Sequence, residues 1–257
     1  MNVNCYPIPS GFSSLDRITG GLRPSELIIM TGRPAAGKSV LALNIAYNVA
    51  EDNDIPVAFF SMEMPAISIA KQLFQMAIGR YDKAEHIEWM QLQSALKHLA
   101  HAPLYVDDTR GLQVPDFRFK AERLVEQKKV RLLIIDDLQL FSYRELPGVD
   151  HKEKLDNLLL TLKDIAVSTG VPIIVCSQIS RFDNRRIGNN CPDFSDLSDF
   201  DYFRKNADSL LLIHRYPYFE NSNTTKLIIG KLRDKQLAET FAINLMFHDD
   251  ILWFSEL

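Results

Sequence analysis

Short apolar runs alternate with stretches of helical period along most of this chain. Leu27-Ile28-Ile29-Met30, Val57-Ala58-Phe59-Phe60, Leu132-Leu133-Ile134-Ile135, residues 171–176 and Leu210-Leu211-Leu212-Ile213 are each too short for a buried helix and read as buried strands. Val40, Leu43, Tyr47 and Ala50 recur at helical spacing after the first of them. Leu155, Leu158, Leu159, Leu162, Ile165 and Ala166 make a second, stronger stripe. Further helices are predicted over residues 66–78 and 85–101 and around Phe117, Ala121, Leu124 and Val125, with a short strand at Leu104-Tyr105-Val106. The stretch before the first strand carries Pro9, Gly11, Gly20 and Gly21 and reads as a loop with at most a short helix. Residues 179–202 are polar and aperiodic. The end reads as a hairpin, with residues 226–231 turning near 233–237 into Phe241, Ile243, Leu245 and Phe247, alternating inward.

Strands buried on both faces and alternating with helices predict an α/β fold with a mostly parallel central sheet flanked by helices, closed by a C-terminal β-hairpin. Such sheets bind ligands at the carboxyl ends of their strands. Several polar residues fall at those ends: Gly32 to Ser39 after the first strand, Glu63 after the second, then Asp136 and Gln178.

The most informative of these is Gly32-Arg33-Pro34-Ala35-Ala36-Gly37-Lys38-Ser39, which fits G-x-x-x-x-G-K-[ST], the phosphate-binding P-loop. Glycines let successive backbone N–H groups turn into one concavity around phosphate oxygens. Lys38 adds a mobile positive charge, Ser39 offers a hydroxyl to Mg²⁺, and a helix starting there aims its positive end at the anion. The flanking strand and helix supply the context that the motif requires.

Composition adds mainly exclusions. A length of 257 residues with 46% hydrophobic and 24% charged residues suits one soluble domain over 1–257. A net charge of −4 confines any nucleic-acid contact to local loops. Three cysteines, Cys5, Cys176 and Cys191, have no C-x-x-C spacing and point to a reducing, cytoplasmic setting, not to disulfides or zinc. His98 and His101 share a helix face without further ligands at metal spacing. No apolar run is long enough to span a membrane, and a membrane partner is not expected.

Chemistry then assigns candidate roles. Asp136, at the end of a strand downstream of the P-loop, stands where a carboxylate holds the Mg²⁺ hydration shell. Asp137 is expected to point the other way along the strand and is not assigned to the metal. Glu63 is the candidate general base for the attacking water, because a carboxylate ending a buried strand is costly without a role. Gln178 carries an amide that can donate to a γ-phosphate and accept from water. Lys231 and Arg233, two residues apart, read either as a cationic finger or as two solvated charges on an edge strand.

Taken in order, these pieces resemble the C-terminal motor domain of DnaB-type replicative helicases, a RecA-like P-loop ATPase. The matches run from Gly11-Phe12, Leu15-Asp16 and Gly20-Gly21 through the P-loop to Phe60-Ser61-Met62-Glu63-Met64-Pro65 and Asp107-Asp108-Thr109. They continue with Ile135-Asp136-Asp137-Leu138-Gln139-Leu140, Ser177-Gln178-Ile179-Ser180-Arg181, Ser195-Asp196-Leu197, Ala207-Asp208 and Lys231-Leu232-Arg233. The resemblance implies ATP hydrolysis with Mg²⁺ and a catalytic Glu63, with Asp136 on the metal. It implies Gln178 as γ-phosphate sensor, and Lys231 and Arg233 reaching a neighbour's ATP. It also implies a ring, usually a hexamer, around single-stranded DNA.

The sequence departs from the family at four places. No segment matches the family's N-terminal helical domain and linker helix, so a weaker ring without the usual primase contact is expected. Ser198-Asp199-Phe200-Asp201 stands where the family has Arg-Glu-Ser-Gly. With Asp193 and Asp196 this makes an acidic stretch that opposes phosphates, offset in part by Arg181, Arg185, Arg186, Arg204 and Lys205. Asp137 replaces a tyrosine, and the turn after Arg233 lacks Asn-Gly-Pro. The leading expectation is therefore a helicase-type ATPase. The alternative is a degenerate RecA-like paralogue with a regulatory or assembly role and little unwinding.

Overall fold

A computed structural model describes residues 6–81, 89–141, 150–178, 200–215, 223–233 and 241–257. In chain order these hold α1 (Ser13–Thr19), β1 (Leu27–Gly32), α2 (Lys38–Asn53), β2 (Val57–Ser61), α3 (Ala66–Tyr81), α4 (Trp89–His101) and β3 (Leu104–Asp107). There follow α5 (Val114–Lys128), β4 (Leu132–Asp136), a 3-10 turn (Leu138–Leu140), α6 (His151–Thr169) and β5 (Ile173–Gln178). The remainder is α7 (Phe200–Asn206), β6 (Ser209–Arg215), β7 (Thr224–Lys231), β8 (Phe241–His248) and β9 (Trp253–Glu256).

Among the described residues the strands form one sheet in the order β3-β2-β4-β5-β1-β6-β7-β8-β9. The first six are parallel and the last three antiparallel. Period-2 alternation sends side chains to two cores. Leu27 and Ile29 of β1 pack with α5 and α6 through Phe117, Leu159 and Leu162. Ile28 and Met30 pack on the other face with Leu41, Ile45 and Val49 of α2 and Met76 of α3. Burial on both faces is why these strands read as continuous apolar runs.

Three expectations change. Residues 200–202 are not irregular: α7 begins at Phe200, because Phe203 and Ala207 are buried and Asn206 donates to Asp156 Oδ1 at 2.7 Å. Residues 179–199 of the same segment, and the 234–240 part of the expected turn, lie outside the described residues. The terminal hairpin gains a third strand, β9, too short and mixed to show a period. Phe241, expected inward, is 45% exposed where the pairing of β8 with β7 ends at Ile229.

The β9 strand binds the front of the chain to its back. Asn44 of α2 accepts from the Phe254 N–H at 2.7 Å and donates to the Leu252 carbonyl at 3.2 Å. Glu256 accepts from the Ser13 N–H at 3.0 Å, the Ser13 hydroxyl at 2.6 Å and the Ser14 N–H at 2.5 Å, satisfying the first turn of α1. Partial burial pushes the Glu256 pKa up, but these hydrogen bonds outweigh it and hold the carboxyl below its ordinary range. Stability from a depressed carboxylate is present above its unfolded pKa and lost as pH falls through the folded one. Glu256→Gln is therefore expected to cost a few tenths to about 1 kcal/mol at neutral pH. In urea unfolding, the gap to wild type should close on acidification.

Candidate functional site

The site is built where β1 lies between β5 and β6, at their carboxyl ends. Gly32, the last residue of β1, is flanked by Gln178 of β5 and Ile213 of β6. A Cβ on Gly32 would lie 2.6 Å from both the Ile213 carbonyl oxygen and its Cγ2, so only glycine fits between the strands. The loop then crosses Ala35 at φ 57° and Gly37 at φ 97° before α2 starts at Lys38. Positive φ at a non-glycine such as Ala35 is the kind of strain that collects at ligand-binding loops.

Lys38 is 8% exposed and donates to the carbonyls of Gly32 at 3.2 Å and Arg33 at 3.0 Å. Burial lowers its pKa, opposed by negative charge in its surroundings that includes Asp137, Asp136 and Glu63. The Ser39 hydroxyl donates to Asp136 Oδ1 at 3.0 Å, joining the P-loop helix to the end of β4. Asp136 is 1% exposed, and its Oδ2 has no hydrogen-bond partner. Burial raises its pKa, with the Ser39 hydrogen bond acting against the rise. An orphaned, buried carboxylate oxygen beside a serine hydroxyl is an oxygen donor set that fits a hard divalent cation such as Mg²⁺. Among the described residues no cluster of three His, Cys, Asp or Glu could hold a metal alone. His98 instead faces Glu51, with Nδ1 and Oε1 3.2 Å apart.

Glu63 lies within electrostatic reach of Lys38 and Asp136, but it is not the buried strand-end acid that its position suggests. Glu63 is exposed: the Ser61 hydroxyl donates to the Met64 carbonyl at 2.7 Å and accepts from its N–H at 3.2 Å. That turn leaves Met62 in the core and lifts Glu63 out. Asp137 also departs from expectation. β4 stops at Asp136, so strand alternation does not extend to Asp137. Its Oδ1 instead accepts from the Gln139 N–H at 3.1 Å and caps the 3-10 turn. Burial pushes its carboxyl up to about 6. Sequence reasoning also missed Gln139, whose amide binds Ser177 and Gln178. The available signal was an Asp with a polar residue two places on, a local capping pattern. Cys176, read as core, is fully buried below Asp136, and burial keeps its thiol protonated.

Lys231 and Arg233 are not part of this cluster. β7 runs antiparallel to β6 and pairs Lys231 with Leu210, which lies beside Ile29, three residues before Gly32. Leu232 between them is buried, so Lys231 and Arg233 share a side of the chain, and both lie near Asp208. Lys231 donates to the carbonyls of Arg204 at 2.7 Å and Ala207 at 2.5 Å, satisfying the C-terminal turn of α7. Arg233 is more exposed and lies 3.6 Å from Asp208. Of the departures from the family pattern, Asp201 stands in the first turn of α7, where negative charge suits the helix dipole. Lys205, one of the expected offsetting charges, lies 2.7 Å from Asp156. Arg181, Arg185, Arg186, Asp193, Asp196, Ser198 and Asp199 lie outside the described residues.

The model of the DnaB-like helicase C-terminal domain family matches residues 7–256. The replicative DNA helicase DnaB of Geobacillus stearothermophilus is 34% identical over 238 residues, covering 88% of this chain and 52% of that protein. A probable replicative DNA helicase of Trieres chinensis is 33% identical over 244 residues, covering 88% of this chain and 53% of that protein. The chain thus spans about half the length of these relatives. Among solved structures, an isolated ATPase domain superposes with a TM-score of 0.85 at 26% identity, covering all of this chain and 93% of that one. A DnaB-like replicative helicase, solved in a study of its interactions with primase, also gives a TM-score of 0.85 at 26% identity. It covers 99% of this chain and 62% of that one. These likenesses bear out the RecA-like α/β fold.

Gly37 supplies a test of how tightly the loop is backed. A Cβ there would meet Phe254 Cζ at 2.8 Å and would hold a residue at φ 97°. Gly37→Ala is expected to destabilise the chain by about 1–3 kcal/mol in denaturant unfolding. Adding Phe254→Leu should return only the steric share, measured against Phe254→Leu alone. An unchanged stability for Gly37→Ala would contradict the packing.

Proposed function

Because the chain belongs to the DnaB-like helicase C-terminal domain family, we propose that it is the ATP-hydrolysing motor of a replicative DNA helicase, working on single-stranded DNA as a ring, hexameric when active. The observation that carries this reading is the meeting, at one sheet edge, of the P-loop with Ser39, Asp136, Glu63 and Gln178. Residues 32–39 would cradle the phosphates of ATP, with Lys38 neutralising charge on the β- and γ-groups. Ser39 and Asp136 would hold Mg²⁺ and its waters; when bound, the ion neutralises charge developing on those phosphates. Glu63 orients the attacking water and accepts its proton, and its exposed position at the edge leaves room for both. Gln178 donates its amide to the γ-phosphate. No helix among the described residues is long and apolar enough to cross a membrane.

Arg233 serves a neighbouring copy. β7 ends toward the other end of β6 from the P-loop, so Arg233, which lies 3.6 Å from Asp208 of its own chain, would reach an ATP only across a subunit interface, as arginine fingers often do. Lys231, held by two carbonyls of its own chain, anchors the strand end from which Arg233 projects and contributes charge at the same interface.

Two measurements test this. Glu63→Gln keeps the shape of the site and removes the base. It should bind Mg-ATP near normally, with hydrolysis down by at least roughly 100-fold; normal turnover would place the base elsewhere. For the shared site, Lys38→Ala and Arg233→Ala are each expected to lose most ATPase activity alone. Mixing them should restore measurable turnover, because an intact P-loop in one chain can face Arg233 of the other. Failure to recover, with both variants assembling, would count against the arrangement in trans.

A further inference from the structure

β5 outlasts its neighbour β4. The last register pair between them is Ile135 with Val175, whereas Ser177 and Gln178 continue to pair with Thr31 and Gly32 of β1. Beyond Val175, then, the β4 side of β5 has no strand to receive the Gln178 N–H and carbonyl. Gln139 takes that place with its side chain. Its Oε1 accepts from the Gln178 N–H at 3.1 Å, and its Nε2 donates to the Gln178 carbonyl at 2.9 Å and to the Ser177 hydroxyl at 2.8 Å. One carboxamide thus offers the donor and acceptor that a paired peptide unit would offer. The Gln178 N–H can only donate and its carbonyl can only accept, so these two groups fix which end of the amide is which.

The Gln139 backbone is itself held. Its N–H donates to Asp137 Oδ1 at 3.1 Å, and Asp137 directly follows Asp136, which receives the Ser39 hydroxyl. Hydrogen bonds at Asp136, Asp137 and the Gln139 amide, joined by the chain between them, therefore link the P-loop helix through the end of β4 to the last residue of β5. Leu138, between the two anchors, is buried in the core and keeps the turn from swinging away.

We propose that Gln139 is a positioning residue for ATP hydrolysis: its amide substitutes for a missing strand and holds the Gln178 backbone in register beside Gly32. The proposal rests on the reading of Gln178 as the residue that meets the γ-phosphate. Gln139 does not touch the reacting atoms. It acts through Gln178, whose side chain departs from a backbone that would otherwise end its pairing on one side.

The test is steady-state ATPase kinetics on Gln139→Leu, Gln178→Ala and the double variant, each with a thermal melt. Gln139→Leu keeps the side chain's size and removes all three hydrogen bonds. It should lower kcat by roughly 10- to 100-fold while KM for Mg-ATP stays within about threefold. The double variant should be no slower than Gln178→Ala alone, since Gln139 acts only through that residue. Gln139→Glu keeps the acceptor for the Gln178 N–H and loses the donors; its kcat should fall between those of wild type and Gln139→Leu. Wild-type kcat in Gln139→Leu would overturn the proposal, as would losses that multiply in the double variant. Should Gln139→Leu not fold, wild-type kcat in Gln139→Glu overturns it equally. A wild-type kcat in Gln178→Ala would instead sink the γ-phosphate reading, and this proposal with it.

Discussion

The hydrogen bond from Ser39 to Asp136 joins two elements that the sheet order keeps apart. β5 lies between β1 and β4, so the P-loop and the acid at the end of β4 meet only by reaching across a strand. That reach depends on register. The pairing of Leu133 with Ile173 and of Leu27 with the same residue sets β1 and β5 to end level, with Asp136 of β4 stopping short of them but within reach of Ser39. A slip of one residue would exchange the two cores and draw the carboxylate away from the serine together. Burial of β1 on both faces is what forbids the slip, so packing and site geometry rest on one constraint.

Sequence periodicity makes the parallel strands legible because each is buried on both faces. The P-loop is legible because its glycines are demanded by contacts as close as Gly32 to Ile213. Elements held by side-chain hydrogen bonds are harder to see. α7 is short and owes part of its order to Asn206 on Asp156 and to Lys231 at its C-terminal turn, contacts between residues far apart in sequence. The roles of Asp137 and Gln139 escape for a related reason. Alternation extrapolates past the end of a buried strand, but here the chain turns at once into a capped 3-10 turn. Glu63 reaches the expected edge for a different reason than burial cost: the serine turn makes it exposed, so its position follows from local hydrogen bonding.

Charge at this edge is organised by burial as much as by pairing. Three carboxylates, Glu63, Asp136 and Asp137, share the neighbourhood of a single buried lysine. Burial raises Asp136 and Asp137 and lowers Lys38, so in each case it opposes the charged form. A ligand that brings charge of its own therefore acts on all of these groups at once.

Asn44 and Phe254 carry a consequence for how the protein is made. The helix that follows the P-loop is pinned by backbone groups of Leu252 and Phe254, and the back of Gly37 rests on the Phe254 ring. A ribosome delivers Asn44 210 positions before it delivers Phe254. Until β9 emerges, the loop over residues 32–39 therefore lacks the ring that backs Gly37. The packing behind that loop is completed only when β9 pairs with β8 and the Phe254 N–H reaches Asn44.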